Sequence, residues 1–196
     1  YSKRVPVPIQ LEMENSIGFA WNRIRKILGL NWGEEGTVMA MAAFGMPSSK
    51  IESFIDNKLL WLPHEAELSN DLRLEIENFY KEFSKIIVSE DDRFAIAAAL
   101  QKATELRVER FLRNFLANYS GDVCLSGGVF LNCQITGKIR KWFPSIKNIF
   151  IPPVPYDGGI SIGAAQLSAY EMMRKSYFIP REKSLGNSSL HSNGFA

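Results

Sequence analysis

The sequence predicts a mixed α/β protein with a small parallel sheet and several packed helices. Two segments carry that reading, because each runs strand, polar glycine turn, helix: Val123 to Trp142 around Ser126-Gly127-Gly128, and Asn148 to Leu167 around Asp157-Gly158-Gly159. Consecutive units of this order pair their strands in parallel and bring both turns to the C-terminal strand ends, where open α/β sheets hold ligands. The third observation is apolar residues at helical spacing through most of the chain before Val123. With 196 residues, 46% hydrophobic and 22% charged, the chain is long enough to bury a core of its own.

Residues 1–10, with Pro6 and Pro8, suit an edge strand or linker, since proline cannot donate to a central ladder. From Glu14 to Leu28, the residues Ile17, Ala20, Trp21, Ile24 and Leu28 share one helical face, and Gly29 suits the C-terminal cap. Glu34 to Pro47 is a small-residue helical patch whose Ala and Gly positions allow close helix packing. Short apolar groups on both sides of Asp56-Asn57 suggest a hairpin over Ile51 to Pro63. Residues 69–87 put Leu72, Ile76, Phe79, Phe83 and Ile86 on one face, with Ser69 as N-cap.

Ser89 followed by Glu90, Asp91 and Asp92 starts the next helix. Its stripe is Ala97, Leu100, Thr104, Val108, Phe111 and Phe115, and it ends near Tyr119. After the first strand and turn, a helix carries Leu131, Ile135, Ile139 and Trp142 on one face. Asn148 to Ile151 forms the second strand, and Pro152, Pro153 and Pro155 lead into the second turn. Ile160, Ala164 and Leu167 begin the last helix. Residues 181–196 are polar and rich in Ser, Asn and Gly, as in a tail or interdomain linker.

The net charge of +2, from 23 basic and 21 acidic residues without a run of five like charges, argues against a nucleic-acid tail or a basic membrane face. No apolar stretch approaches a membrane span, and the start lacks a signal peptide's apolar region, which points to the cytoplasm. Cys124 and Cys133 have no metal-type spacing and read as small buried hydrophobes. His64 lies in a loop and His191 in the tail, Ser126 is not in a nucleophile elbow, and no Walker or zinc-protease pattern occurs.

The two turns are the candidate site. Gly127 and Gly128 let a backbone approach a ligand, and a following helix N-terminus offers N–H groups to an anion. Ser126 can bond a phosphate oxygen or cap the helix, and Asn132 can reach the same pocket or face solvent. Asp157 is a candidate metal, ribose or phosphate-magnesium contact, with an Asx-turn or helix cap as its ordinary structural alternative.

Cys124-Leu125-Ser126-Gly127-Gly128-Val129-Phe130-Leu131-Asn132-Cys133, followed by Gly137-Lys138-Ile139, resembles the LSGGVALN…NGKI signature of O-carbamoyltransferases of the nodulation and antibiotic-tailoring type. Tyr156 to Ala165 is similar to that family's GDGGLAIGAA, and Glu35 to Gly45 to its EGKVMGLAPYG. Ser16-Ile17-Gly18 with Leu28-Gly29, and Ala95-Ile96-Ala97 with Gln101 and Glu105, match two further blocks in the family's order.

The resemblance implies an actin-like, ribonuclease H-like ATPase-type domain, of which residues 1–180 would be the second half. It also implies a carbamoyl group passed to a substrate hydroxyl from carbamoyl adenylate, itself made from carbamoyl phosphate and ATP by a YrdC-like domain. Carried over, Ser126, Gly127, Gly128 and Asn132 would hold the nucleotide, Gly158 and Gly159 would line its phosphate end, and Gly18, Glu35 and Gly36 would sit near adenosine. Asp157 would bind a divalent metal, iron first, with magnesium or manganese as alternatives.

Thr37 stands for the family's lysine, Ala40 for a glycine and Arg25 for a usual threonine. The family's paired histidines would belong to the missing first half and the YrdC-like domain would follow the chain, so the expectation is a fragment inactive alone. The resemblance expects no nucleic-acid or membrane partner, assigns no catalytic residue, and leaves exposed apolar surface through which a homodimer could form. The alternatives are a relative of the threonylcarbamoyl or hydrogenase-maturation enzymes, or a non-catalytic nucleotide-binding or assembly module.

Overall fold

A computed structural model of the chain describes residues 16–46, 48–64 and 68–173. The expected strand or linker over residues 1–10, the polar tail and His191 lie outside the described residues. Within them the protein is mixed α/β, with seven α-helices and one two-stranded parallel sheet. The helices are α1 (Ile17–Ile27), α2 (Glu35–Ala42), α3 (Ser49–Ile55), α4 (Asn70–Ser84), α5 (Glu90–Leu116), α6 (Cys133–Trp142) and α7 (Gly159–Met173). The strands are β1 (Asp122–Cys124) and β2 (Asn148–Phe150). The described residues divide into two compact units: those up to 119 together with 132–145, and 120–131 together with those from 146 onward.

The first unit is helical. The Ser16 hydroxyl accepts from Phe19 N–H to start α1, and Gly29, at φ 71°, ends it in a Schellman arrangement. In that arrangement Gly29 N–H donates to Lys26 and Leu30 N–H to Arg25. Ala20, Trp21, Ile24 and Leu28 are buried in a core with Val38, Ile51, Ile55, Leu60, Trp61, Phe79, Phe83 and Leu100. The small-residue patch is a packing device: a Cβ on Gly45, just after α2, would lie 1.9 Å from the Phe94 carbonyl oxygen of α5.

The hairpin expected over Ile51 to Pro63 is not formed. Helix α3 occupies Ser49–Ile55, and a 3-10 turn follows over Lys58–Trp61, with the Asn57 side chain accepting from Leu59 N–H at 2.9 Å. Asp56-Asn57 is a turn between two helical pieces. Leu60 and Trp61, adjacent in sequence, are buried together in the same core as Ile51 and Ile55, whereas a strand would send adjacent side chains to opposite faces.

Helix α5 begins in a capping box: Asp92 N–H donates to Ser89 Oγ and the Asp92 carboxylate accepts from Ser89 N–H. Its buried stripe runs through Ala97, Leu100, Thr104 and Val108 as expected, then continues through Leu112 and Leu116, leaving Phe111 and Phe115 exposed. Steps of four drift about 40° around a helix each time, so a long helix turns its apolar stripe from one set of neighbours to another. Here α5 packs on α2 and α3 and also on α6. Between α5 and α6, Lys138 Nζ meets Glu105 Oε2 at 2.5 Å and Arg113 lies over the Phe143 ring at 5.6 Å.

The second unit contains the sheet. The strands pair in parallel, as expected, with Asp122 opposite Asn148, Val123 opposite Ile149 and Cys124 opposite Phe150. Leu125 N–H extends the ladder to the Phe150 carbonyl at 2.9 Å. Both glycine turns therefore follow the C-terminal ends of paired strands.

The two cysteines are exposed and unpaired, against the expectation of burial. Cys124 faces outward on a strand whose partner covers one edge only, and Cys133 is the first residue of α6. Among the described residues no helix is long and apolar enough to cross a membrane.

Candidate functional site

The first turn and the second are tied together by one carbonyl. Pro155 C=O accepts from Gly127 N–H at 2.5 Å and from Ser126 Oγ at 3.1 Å. Gly127 has φ 121°, a conformation that L side chains rarely adopt, so the turn itself requires glycine there. Gly128 is different: a Cβ built on it would meet only Tyr156 Cβ, at an ordinary 3.8 Å. In the second turn the chain's own packing demands glycine. This holds at Gly159, where a Cβ would lie 2.3 Å from the Val154 carbonyl oxygen; at Gly158 a Cβ would lie 2.8 Å from the exposed Tyr156 ring, which can swing aside.

Asp157 is exposed. Its carboxylate makes no hydrogen bond or ion pair with another described residue, so the Asx-turn and cap alternatives are not what the structure shows. Only its main chain is used, the carbonyl accepting from Ile160 N–H at 3.1 Å as α7 starts. Ser126, Gly127, Gly128, Asp157, Gly158 and Gly159 thus belong to one compact unit on one sheet edge.

The remaining candidates belong to the other unit. A 3-10 turn over Gly128–Leu131 separates the Ser-Gly-Gly turn from α6, and Leu131 is exposed instead of joining the apolar face of Ile135 and Ile139. Asn132 is the N-cap of α6, with Oδ1 accepting from Gln134 N–H at 3.1 Å and Ile135 N–H at 3.2 Å. Those N–H groups are therefore occupied instead of offered to an anion.

Nor does Asn132 face solvent, the expected alternative to a pocket role. It is buried against Gln101 of α5: its Nδ2 donates to Gln101 Oε1 at 2.7 Å, and Gln101 Nε2 returns a longer bond to Asn132 Oδ1 at 3.4 Å. Gln101 Nε2 also donates to Glu105 Oε1 at 2.9 Å. Candidate selection by turn chemistry missed Gln101, Glu105 and Lys138, although Gln101 and Glu105 stand four apart, the spacing of neighbours on a helix face.

Gly18 in α1 and Gly36 in α2 have open space where a Cβ would stand. Glu35, at the start of α2, is engaged by Arg25, whose Nε lies 3.2 Å from Glu35 Oε1. The same guanidinium donates to the Leu30 carbonyl and to Asn22 Oδ1, both at 2.6 Å, and lies 5.5 Å from the Trp32 ring. His64 is in an exposed loop, as expected, and packs edge-on against Phe19 at 5.3 Å.

Among the described residues, no cluster of three or more His, Cys, Asp or Glu side chains could hold a metal ion. Asp157 can contribute one ligand and does not make a metal centre with its described neighbours.

Two glycine turns joined at one parallel sheet edge, with a carboxylate beside them that no other described residue engages, place the chain in the mixed α/β class. The particular family follows from comparison: residues 2–166 match the family described as "Carbamoyltransferase N-terminus", and the chain belongs to that family. It is 29% identical over 86% of its length to nodulation protein NolO of Bradyrhizobium diazoefficiens, covering 30% of that protein. It is 27% identical over 86% of its length to nodulation protein NolNO of Sinorhizobium fredii, covering 25% of it. An uncharacterised Synechocystis protein is 25% identical over 92% of this chain, which covers 32% of that relative. The chain spans less than a third of each of these relatives.

Proposed function

We propose that the chain is part of an O-carbamoyltransferase, in which it carries one portion of the nucleotide site. The whole enzyme would move a carbamoyl group from carbamoyl adenylate, made from carbamoyl phosphate and ATP, to a substrate hydroxyl. Membership of the carbamoyltransferase family supports the reaction class. The observation that supports the site is Asp157: an exposed carboxylate without a described partner, beside two glycine turns bound through the Pro155 carbonyl. A carboxylate that no described residue engages can serve a ligand.

In this reading Gly128 lets the nucleotide approach the backbone, and Ser126 with Gly127 N–H meets phosphate oxygens when Pro155 gives them up. Gly158 and Gly159 fix the backbone that presents Asp157. Asn132 would contact the nucleotide, and Gly18, Glu35 and Gly36 would lie near adenosine. Asp157 would be one ligand of a divalent metal, iron, magnesium or manganese, whose other ligands come from outside the described residues. The actin-like architecture, with this chain as its second half, belongs to the same proposal, as do a cytoplasmic location and inactivity of the chain without the YrdC-like domain and the other half. Homodimer formation through its apolar surface is a further part of the proposal, while nucleic-acid and membrane partners are not.

The test is transfer by the whole protein given ATP, carbamoyl phosphate and a hydroxyl acceptor, with carbamoylated product read by mass spectrometry. Asp157→Ala should abolish transfer. Wild-type transfer by that variant would remove Asp157 from the site.

One observation favours a second reading, a non-catalytic module. The Ser126 hydroxyl and the Gly127 N–H, two donors a phosphate would need, are both spent on Pro155. A calorimetric titration of the whole protein with ATP separates the two, because the second reading is supported if no heat of binding is seen.

A further inference from the structure

The start of α6 is held by a chain of hydrogen bonds whose direction is dictated at both ends. At one end Lys138 has only donors and Glu105, when ionised, only acceptors, and they meet at 2.5 Å. Glu105 Oε1 therefore takes a hydrogen from Gln101 Nε2, at 2.9 Å, which leaves Gln101 Oε1 to accept from Asn132 Nδ2 at 2.7 Å. At the other end the backbone N–H groups of Gln134 and Ile135 require an acceptor, and Asn132 Oδ1 supplies it.

Amide oxygen and nitrogen look alike in shape, and their placement has to be argued from partners. Here the partners fix both amides. Turning over the Asn132 amide would aim an N–H₂ group at two helix N–H groups, and turning over Gln101 would aim its oxygen at a carboxylate. Both amides are nearly excluded from water, Gln101 being 8% and Asn132 8% exposed, so neither mismatch could be relieved by solvent.

With both oxygen lone pairs engaged and one Nδ2 hydrogen given to Gln101, Asn132 keeps a single uncommitted hydrogen among the described residues. We propose that Gln101 and Glu105 are positioning residues that lock the Asn132 amide, so that Asn132 meets the nucleotide as a hydrogen-bond donor only. The inference rests on the nucleotide reading above and deepens it: Asn132 selects an acceptor atom, such as a phosphate or ribose oxygen, and cannot take a hydrogen from the ligand.

The experiment uses the whole protein, with ATP affinity from calorimetry and melting temperature from calorimetric scans. Glu105→Gln removes the charge that fixes Gln101 and should weaken ATP binding by about 3-fold to 10-fold, the loss of one oriented hydrogen bond. Asn132→Asp puts a carboxylate oxygen against Gln101 Oε1 and should lower both affinity and melting temperature. In the double variant Asn132→Asp, Glu105→Gln the chain of bonds can reverse, because the new amide at position 105 can donate to a turned Gln101, which in turn donates to the new carboxylate at position 132.

The double variant should therefore regain melting temperature but not ATP affinity, a split that a purely structural role would not give. Recovery of both together overturns the proposal, as does unchanged affinity in Glu105→Gln. If Glu105→Gln does not fold, Lys138→Gln, which releases the other Glu105 oxygen, asks the same question. Absence of ATP binding by the wild-type protein overturns the nucleotide reading and this inference together, whereas wild-type binding with unaltered variants overturns this inference alone.

Discussion

Arg25 of α1 and Glu35 of α2 form an ion pair, Nε to Oε1 at 3.2 Å, with the arginine side chain 9% and the glutamate side chain 36% exposed. The pair occupies a residue that the family resemblance places near adenosine, and it does so with a residue that departs from the family's threonine. Glu35 therefore has a structural partner in this chain, and its availability to a ligand is set by Arg25.

Arg25→Thr should cost about 1–3 kcal/mol, because it removes a nearly buried guanidinium and leaves its hydrogen-bond acceptors without a donor. The loss comes mostly from the Leu30 carbonyl and the Asn22 side chain, since the Glu35 carboxylate can turn to water. Urea denaturation checks the size. Glu35→Gln, by the same reasoning, should cost less than about 1 kcal/mol.

Gly159→Ala and Gly128→Ala should behave oppositely. The first places a Cβ 2.3 Å from the Val154 carbonyl oxygen and should reduce soluble yield and melting temperature. The second meets nothing closer than 3.8 Å and should leave stability within about 0.5 kcal/mol while weakening ATP binding. Equal damage to folding by both would mean that Gly128 is also there for packing.

Thr104→Val should be more harmful than its shape suggests. Trp21 Nε1 donates to Thr104 Oγ1 at 2.9 Å, and that hydroxyl donates onward to the Leu100 carbonyl at 2.7 Å, in a site with no exposure at Thr104. Losing the acceptor strands a buried indole N–H, at a cost of about 1–3 kcal/mol. Thr104→Ser keeps the hydroxyl and should retain most of the stability in the same denaturation assay.

Acid should weaken the start of α5. Asp92 lies below the usual aspartate pKa, first because Val88 N–H donates to its carboxylate, then through the hydroxyl and N–H of Ser89. A lowered pKa in the folded state means the unfolded chain binds the proton more readily. The contribution is complete above the unfolded value, about pH 3.9, and is lost as pH falls through the folded one. The gap in urea midpoint between wild type and Asp92→Asn should therefore be constant near neutrality and shrink below about pH 4.

Much of the architecture was legible because it rests on local chemistry. Ser69 and Ser89 cap the helices they precede, and Ile76, Phe79 and Phe83 are buried at helical spacing. Asp157 and the two glycine turns could be singled out for the same reason, since turns are written in residue types. Asp56-Asn57 shows where local reading stops: a polar pair between apolar groups fits a hairpin or a helix junction, and only the shared core of Ile51, Ile55, Leu60 and Trp61 decides.

The sequence by itself determined the α/β class, the parallel strand pair and the two glycine turns at one edge, because strand-turn-helix order and backbone requirements are local properties of the chain. Only the tertiary structure decided that Pro155 takes the donors of the first turn, that Arg25 holds Glu35, and that Gln101 holds Asn132. Each of these joins residues brought together by the fold, and a hydrogen bond or ion pair depends on distance in space, which residue spacing along the chain does not fix.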